Sequence, residues 1–317
     1  SEFSEYCLFR EFARRPKKGA QSELLGLVKM DYLPIQKIQT APHEWSSYKG
    51  TVGEWQNFLR LIVDHFLREN TIIDIPQQFQ RWMGAKISFK YVLAPGSKPE
   101  TGEYKVKGWP TCLRGKRRRN RIIDIAMEYL QLSSEQEEHC RIMDKLMEDA
   151  WQALRPMMNT YSEGFQFDLS KHAVFSTIKT AWKCPYTRKV VPVTLAGISP
   201  YSIIKLGQIV EKSEPITLPT IPARYWHKEL EDIPSVDGWL ESDEDVIELR
   251  KQWLWPNRSD RAAAMDSWFA VGEHSAQQSS SRLDQLEKAF KEGKINVLSC
   301  STTMEMGAVS YTHLTLP

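Results

Sequence analysis

The sequence is short of several things, and each shortage closes off a class of function. No apolar run approaches the roughly 20 residues that a membrane-crossing helix needs. The five cysteines, Cys7, Cys112, Cys140, Cys184 and Cys300, are scattered, with no C-x-x-C pair among them. That spacing argues against a four-cysteine zinc site and suits a reducing compartment, so no metal site and a cytoplasmic location are expected. No G-x-x-x-x-G-K-S/T phosphate loop occurs, and no D-E-x-H acidic box. The chain therefore offers no recognisable cradle for a nucleoside triphosphate, and no catalytic residue is assigned in it. An excess of one charge is missing as well. Lys and Arg number 42 against 40 Asp and Glu, for a formal charge of +2, so any surface that attracts nucleic acid must be local. There is no internal repeat and no low-complexity tract.

What is present is enough to build a core. Hydrophobic residues make up 41% of the chain, and eleven tryptophans can anchor several small clusters. At 317 residues, roughly two domains is the natural starting point. Residues 1–110 read as an irregular N-terminal region, with a strand around Leu25, Leu27 and Val28 ending near Pro34. The region holds one long amphipathic helix over 53–70. There Trp55, Phe58, Leu59, Ile62, Val63, Phe66 and Leu67 recur at helical spacing and form one apolar stripe. Its plain meaning is a core helix.

Residues 111–195 open on the basic run RGKRRRNR (Arg114–Arg121), followed by the helix IIDIAMEYLQL. A second helix is expected to open at Ser133 or Ser134, with Gln136 or Glu137 three residues on in capping-box spacing. Its apolar face would be Ile142, Met143, Leu146, Met147, Ala150, Trp151 and Leu154, and Pro156 would end it. GFQFDL, HAVFSTIKTAWKC and the end of CPYTRKVVPV read as strands. Two helices followed by a hairpin give the outline of a winged helix. Residues 196–240 hold Pro200, Pro215, Pro219, Pro222 and Pro234, which reads as a connector. A helix over Asp243–Trp253 with an acidic first turn follows.

Three groups of residues have the chemistry to touch nucleic acid. Arg117, Arg118 and Arg119 in the basic run would pair with phosphates, or else form a solvated loop. His274, Ser275 and Gln277, at the polar exit of a strand in WFAVGEHSAQ, would hydrogen-bond phosphate or sugar. The simpler alternative is that His274 ends the strand and Ser279, Ser280 or Ser281 caps the next helix. Ser301 and Thr302, beyond the strand Ile295–Cys300, are small hydroxyls that allow close approach to a phosphate, and Gly307 permits a backbone path that a side chain would block. Trp182-Lys183-Cys184-Pro185 looks like half of a metal knuckle without a second half; Cys184 reads as a small buried hydrophobe, and His65 and His139 as structural.

In order, HSAQ, then R-x-x-x-L-x-x-x-F-x-x-G, then VLSCSTTMEMG resembles the second RecA-like domain of superfamily 2 helicases, up to their fifth motif. LLGLVKMDYLPI, GTVGEWQNFLRLIVDHFLREN and AWKCPYTRKVVPV are similar to the long spacer of large bacterial DEAD/DEAH-box helicases. The resemblance implies a mixed α/β chain: a helical, winged-helix-like spacer followed by a truncated, parallel RecA-like half-domain over 241–308. It implies that the full-length parent is an ATP-dependent DNA helicase or translocase using ATP and Mg²⁺, of which this piece alone is inactive. Ser301, Thr302, His274, Ser275 and Gln277 would then contact nucleic acid, and Gly307 would match the glycine near the nucleotide. The family's aspartate after that glycine is replaced by Val309. Residues 309–317 read as a non-native tail, and the partner of the half-domain would be an upstream RecA-like domain of the same parent chain. The competing reading is a non-enzymatic winged-helix module that binds nucleic acid.

Overall fold

A computed structural model describes residues 2–13, 22, 23, 25–68, 72–83, 90–97, 105–112, 120–204, 209–221, 236–263, 271–275, 278–292, 295 and 297–300. The chain divides into two compact units, 1–259 and 260–317. Both units combine helices with small sheets, so the protein is mixed α/β.

The first unit begins with α1 (Glu2–Ala13), β1 (Val28–Tyr32), α2 (Leu33–Gln36), α3 (His43–Ser47) and α4 (Val52–Arg68). Then come α5 (Gln80–Met83), β2 (Tyr91–Val92), β3 (Val106–Lys107), α6 (Arg121–Leu130) and α7 (Glu137–Leu154). It continues through β4 (Met158–Tyr161), β5 (Gly164–Phe167), α8 (Leu169–His172), β6 (Ala173–Thr177), β7 (Thr180–Lys183), β8 (Val190–Val191) and β9 (Glu214–Thr217). Two helices, α9 (Val236–Ser242) and α10 (Glu244–Lys251), complete it, and α11 (Asn257–Ala263) runs across the boundary between the units.

Helix α4 organises the core, as its periodicity predicts. Its seven stripe residues, from Trp55 to Leu67, are at most 2% exposed. Removing so many large apolar side chains from water is the main stabilising term, at roughly 1.5–3 kcal/mol for each. Trp45 stacks on Phe58 and meets Trp55 edge-on. The same cluster takes in Ile122, Ile123 and Ile125 from α6 and Met143, Leu146 and Met147 from α7. It reaches Val193, Leu195 and Val210, so one hydrophobic core joins residues on both sides of positions 110 and 195.

The ends of the helices show which polar residues act as caps. Asn120 caps α6, its side chain accepting from the Ile122 amide at 2.9 Å. Asp243 caps α10 in the same way, accepting from Val246 N at 3.0 Å. Helix α7 departs from expectation: it starts at Glu137, and Gln136 in the cap position makes no side-chain cap bond. Ser133 is drawn into the preceding turn instead, where its hydroxyl accepts from Glu135 N and its amide donates to His139 Nδ1. The local hydroxyl–amide bond competes with the cap and wins.

The described strands of the first unit fall into three small sheets. β4 and β5 form an antiparallel hairpin that joins β2 and β3 in the order β3-β2-β5-β4. Gly164 is required there, since a Cβ would lie 2.4 Å from Tyr91 Cδ2 and 2.6 Å from the Val92 carbonyl oxygen. The stretch HAVFSTIKTAWKC yields two strands with different partners: β6 pairs with β1, and β7 lies between β8 and β9. β9 lies within the proline-rich stretch 196–240. It accommodates Pro215 because, among the described residues, it is an edge strand paired only with β7, where a missing N–H is tolerated.

In the second unit β10 (Val271–His274), α12 (Ser280–Lys291) and β11 (Val297–Cys300) follow in order. β10 and β11 pair in parallel, with Val271 opposite Val297 and His274 opposite Cys300. Strand, helix and parallel strand make a βαβ unit, the usual crossover between adjacent parallel strands. Gly272 lets the helix come close: a Cβ there would be 2.9 Å from Leu286 Cδ2 and 3.2 Å from Ile295 Cδ1.

Candidate nucleic-acid interface

The described part of the candidate interface is the carboxyl end of β10. Alternation along this exposed pair leaves Val271 and Glu273 outside and turns Gly272 and His274 inward. His274 is thereby buried, 6% exposed, and faces α12. Its Nε2 donates to Glu287 Oε1 at 3.2 Å. Glu287 is further balanced by Lys291, whose Nζ lies 3.9 Å from Oε2. The ring nitrogen nearest the helix is thus committed to a carboxylate.

Ser275 follows immediately. Its Oγ is buried and has no hydrogen-bond partner among the described residues. Its carbonyl accepts from Gln278 N at 3.0 Å, turning the chain toward α12. Of the three serines able to cap that helix, Ser279 does so, its side chain accepting from Arg282 N at 3.3 Å. Since His274 and Cys300 are level in the sheet, Ser275 and Ser301 are the residues that come next after the two strand ends. Gln277, Ser301, Thr302, Gly307 and residues 309–317 lie outside the described residues, as do Arg117, Arg118 and Arg119.

Around the basic run, the described neighbours are Cys112 on one side and Asn120 and Arg121 on the other. Asn120 Nδ2 lies 3.3 Å from His65 Nε2, so His65 serves the fold. Arg121 Nη1 donates to the Pro200 carbonyl at 3.4 Å. Cys184 is fully buried and its sulfur accepts from Ser199 Oγ at 3.0 Å, in keeping with a small core residue. Among the described residues no cluster of three or more His, Cys, Asp or Glu is placed to hold a metal ion.

Two further features come from tertiary structure alone. One is a groove of about 210 Å³ on the first unit, lined by Lys183, Pro185, Arg188, Glu211, Lys212 and Glu214. Its charges partly cancel, with Lys183 Nζ 3.2 Å from Glu214 Oε2. The other is a carboxylate pair bridged by an amide: Asn159 Nδ2 donates to Asp74 at 2.6 Å and to Asp168 at 3.1 Å. Burial by itself would raise the Asp168 pKa, but hydrogen bonds from Lys171, Ser170 and Asn159 outweigh it and hold the carboxyl at about 2. No local pattern announces either feature, because their residues are brought together from distant parts of the sequence.

No family model, no curated protein and no solved structure matches the chain. Among the described residues no helix is long and apolar enough to cross a membrane.

Proposed function

We propose that this chain belongs to an ATP-dependent DNA helicase or translocase, contributing the region between two motor domains and the first part of the second, RecA-like one. What supports the reading is the parallel pairing of β10 with β11 across α12, with His274 opposite Cys300 and the hydroxyl-rich run Ser301–Thr303 next in sequence. Ligands of open α/β sheets gather at the carboxyl ends of the strands. In this reading Ser275, Ser301 and Thr302 contact the sugar–phosphate backbone, while His274 shapes the strand end through Glu287. ATP and Mg²⁺ enter through the resemblance alone: the residues present include no phosphate loop, and no step of hydrolysis is assigned to them.

The test is DNA-stimulated ATP hydrolysis by the parent protein, with Ser301→Ala and Thr302→Ala combined. DNA should stimulate hydrolysis, and the double variant should weaken DNA binding by about tenfold, the loss of roughly two neutral hydrogen bonds. A parent gene with no phosphate loop upstream of Ser1, or hydrolysis indifferent to DNA, overturns the proposal.

The second reading, a winged-helix-like module that binds nucleic acid without a motor, is favoured by one observation. Helices α6 and α7 run directly into the β4–β5 hairpin, and the basic run immediately precedes α6. A salt titration of DNA binding tests it. Replacing Arg117, Arg118 and Arg119 together by alanine should flatten the salt dependence by about 0.9 of a log unit per lost phosphate contact. Unchanged affinity and slope reject the basic run as a contact surface.

A further inference from the structure

We propose that Cys112 and Cys140 form a reversible disulfide, a redox-modification site that fastens the segment preceding the basic run to α7. Their sulfurs are 3.0 Å apart, about 1 Å beyond the ~2.05 Å length of an S–S bond. The scaffold around them is already in place. Cys140, Asp144 and Met147 recur at i, i+4 and i+7 on α7 and so form one stripe. Segment 109–112 lies along that stripe: Trp109 Nε1 donates to the Met147 carbonyl at 2.8 Å, and Cys112 N donates to Asp144 Oδ1. Met127 of α6 closes the far side, its sulfur 3.6 Å from that of Cys112. Both backbones are held by these bonds while the two sulfurs already face each other at 3.0 Å. Of the other described cysteines, Cys7 is exposed and the Cys184 sulfur accepts from Ser199; the Cys140 sulfur also reaches the Ser134 carbonyl at 3.6 Å, a longer contact than its 3.0 Å approach to Cys112.

The chemistry is thiol–disulfide exchange with a low-molecular-weight disulfide. Cys112, the more exposed at 9% against 6%, gives up its proton and attacks one sulfur of the reagent, releasing one reagent thiol. Cys140 then attacks the mixed disulfide at Cys112 and releases the second. The two cysteines lose two electrons and two protons; the reagent's S–S bond becomes two thiols, and one protein S–S bond forms. Disulfides in reducing compartments are usually transient and redox-sensing, which suits a reversible bond. The two cysteines are 28 residues apart, and the span between them contains the whole basic run and α6.

The experiment treats the full chain with glutathione disulfide, alkylates the remaining thiols with iodoacetamide, and maps the digested peptides by mass spectrometry. A peptide linking Cys112 to Cys140, a melting temperature raised by about 5 °C or more, and reversal of both by dithiothreitol support the proposal. Cys112→Ser and Cys140→Ser should each abolish the linked peptide and the shift. Full alkylation of both cysteines after treatment, a stop at the mixed disulfide, or a link to a different cysteine overturns it. The peptide mapping reads the unsubstituted chain, so it decides the question whether or not the two variants fold.

Discussion

His274, the last residue of β10, donates its Nε2 proton to Glu287 of α12 across 3.2 Å. The bond ties the end of the strand to the face of the helix that follows it. It fixes the point at which the chain leaves the sheet, so Ser275 and its buried hydroxyl, which has no partner among the described residues, are held beside the helix. A histidine that the sequence presents as a possible phosphate ligand is engaged within the fold. The neighbouring serine keeps an uncommitted donor among the described residues.

That relationship predicts unequal effects from its two partners. Glu287 is partly exposed and shared with Lys291, so Glu287→Gln should cost only about 0.5–1 kcal/mol. His274→Ala removes a buried ring and should cost about 2–3 kcal/mol, by the cavity left behind. Urea unfolding of the chain, followed by a probe in the second unit, measures both. Equal losses would mean that the pair, not the packing, holds the strand end.

The close approach at Gly272 predicts a graded steric response. An alanine Cβ meets the mobile ends of Leu286 and Ile295 and should cost about 1 kcal/mol as they shift. Valine adds two more methyl groups and should cost about 3 kcal/mol. Thermal melts of the two variants give the comparison.

Capping at α12 separates three serines that look alike. Ser279→Ala should lower stability by about 1 kcal/mol, because one first-turn amide loses its acceptor. Ser280→Ala and Ser281→Ala should stay within about 0.5 kcal/mol of the parent. Helix content against urea distinguishes them.

The Arg60 network should be far more sensitive. Its guanidinium pairs with Asp31, lies 3.8 Å from Glu23 and donates to the Met30 carbonyl at 2.9 Å, all in buried surroundings. Arg60→Ala takes the guanidinium away from two buried carboxylates, while Lys29 stays 3.0 Å from Asp31, and should cost about 3–5 kcal/mol. Adding Asp31→Asn should recover part of the loss, since the two sites share one interaction. A double-mutant cycle in urea reads the coupling.

Asp168 sets a pH dependence of known sign. Its carboxyl is held at about 2 against an ordinary 3.8, so the ionised form is favoured by folding. The stabilisation is fully present above the unfolded value and disappears as pH falls from about 4 toward 2. It should amount to about 1–2 kcal/mol, after discounting for the exposed Lys171 partner. Asp168→Asn should be less stable at neutral pH and show a flatter stability profile across that window.

Much of the local structure was legible because it depends on neighbours in sequence. The stripe on α4, the face of α7, the acidic first turn of α10 and the strand–helix–strand order near the end of the chain all follow from residue type and spacing. Where competing local bonds were close in energy, spacing misled: Ser133 serves a turn instead of capping α7. The proline-rich stretch likewise hides β9, because tolerance of Pro215 depends on its position at the edge of the described sheet.

The sequence by itself determined the long helices α4, α6 and α7, the apolar faces of α4 and α7, and which residues carry chemistry suited to a phosphate backbone, since these depend on side-chain type and on a period of 3.6 residues. Only the tertiary structure decided that β10 pairs with β11 in a register that sets His274 opposite Cys300, that His274 turns to Glu287, and that Cys112 meets Cys140. Those contacts join residues far apart in the chain, and their energy appears only once helices and strands bury their apolar faces together.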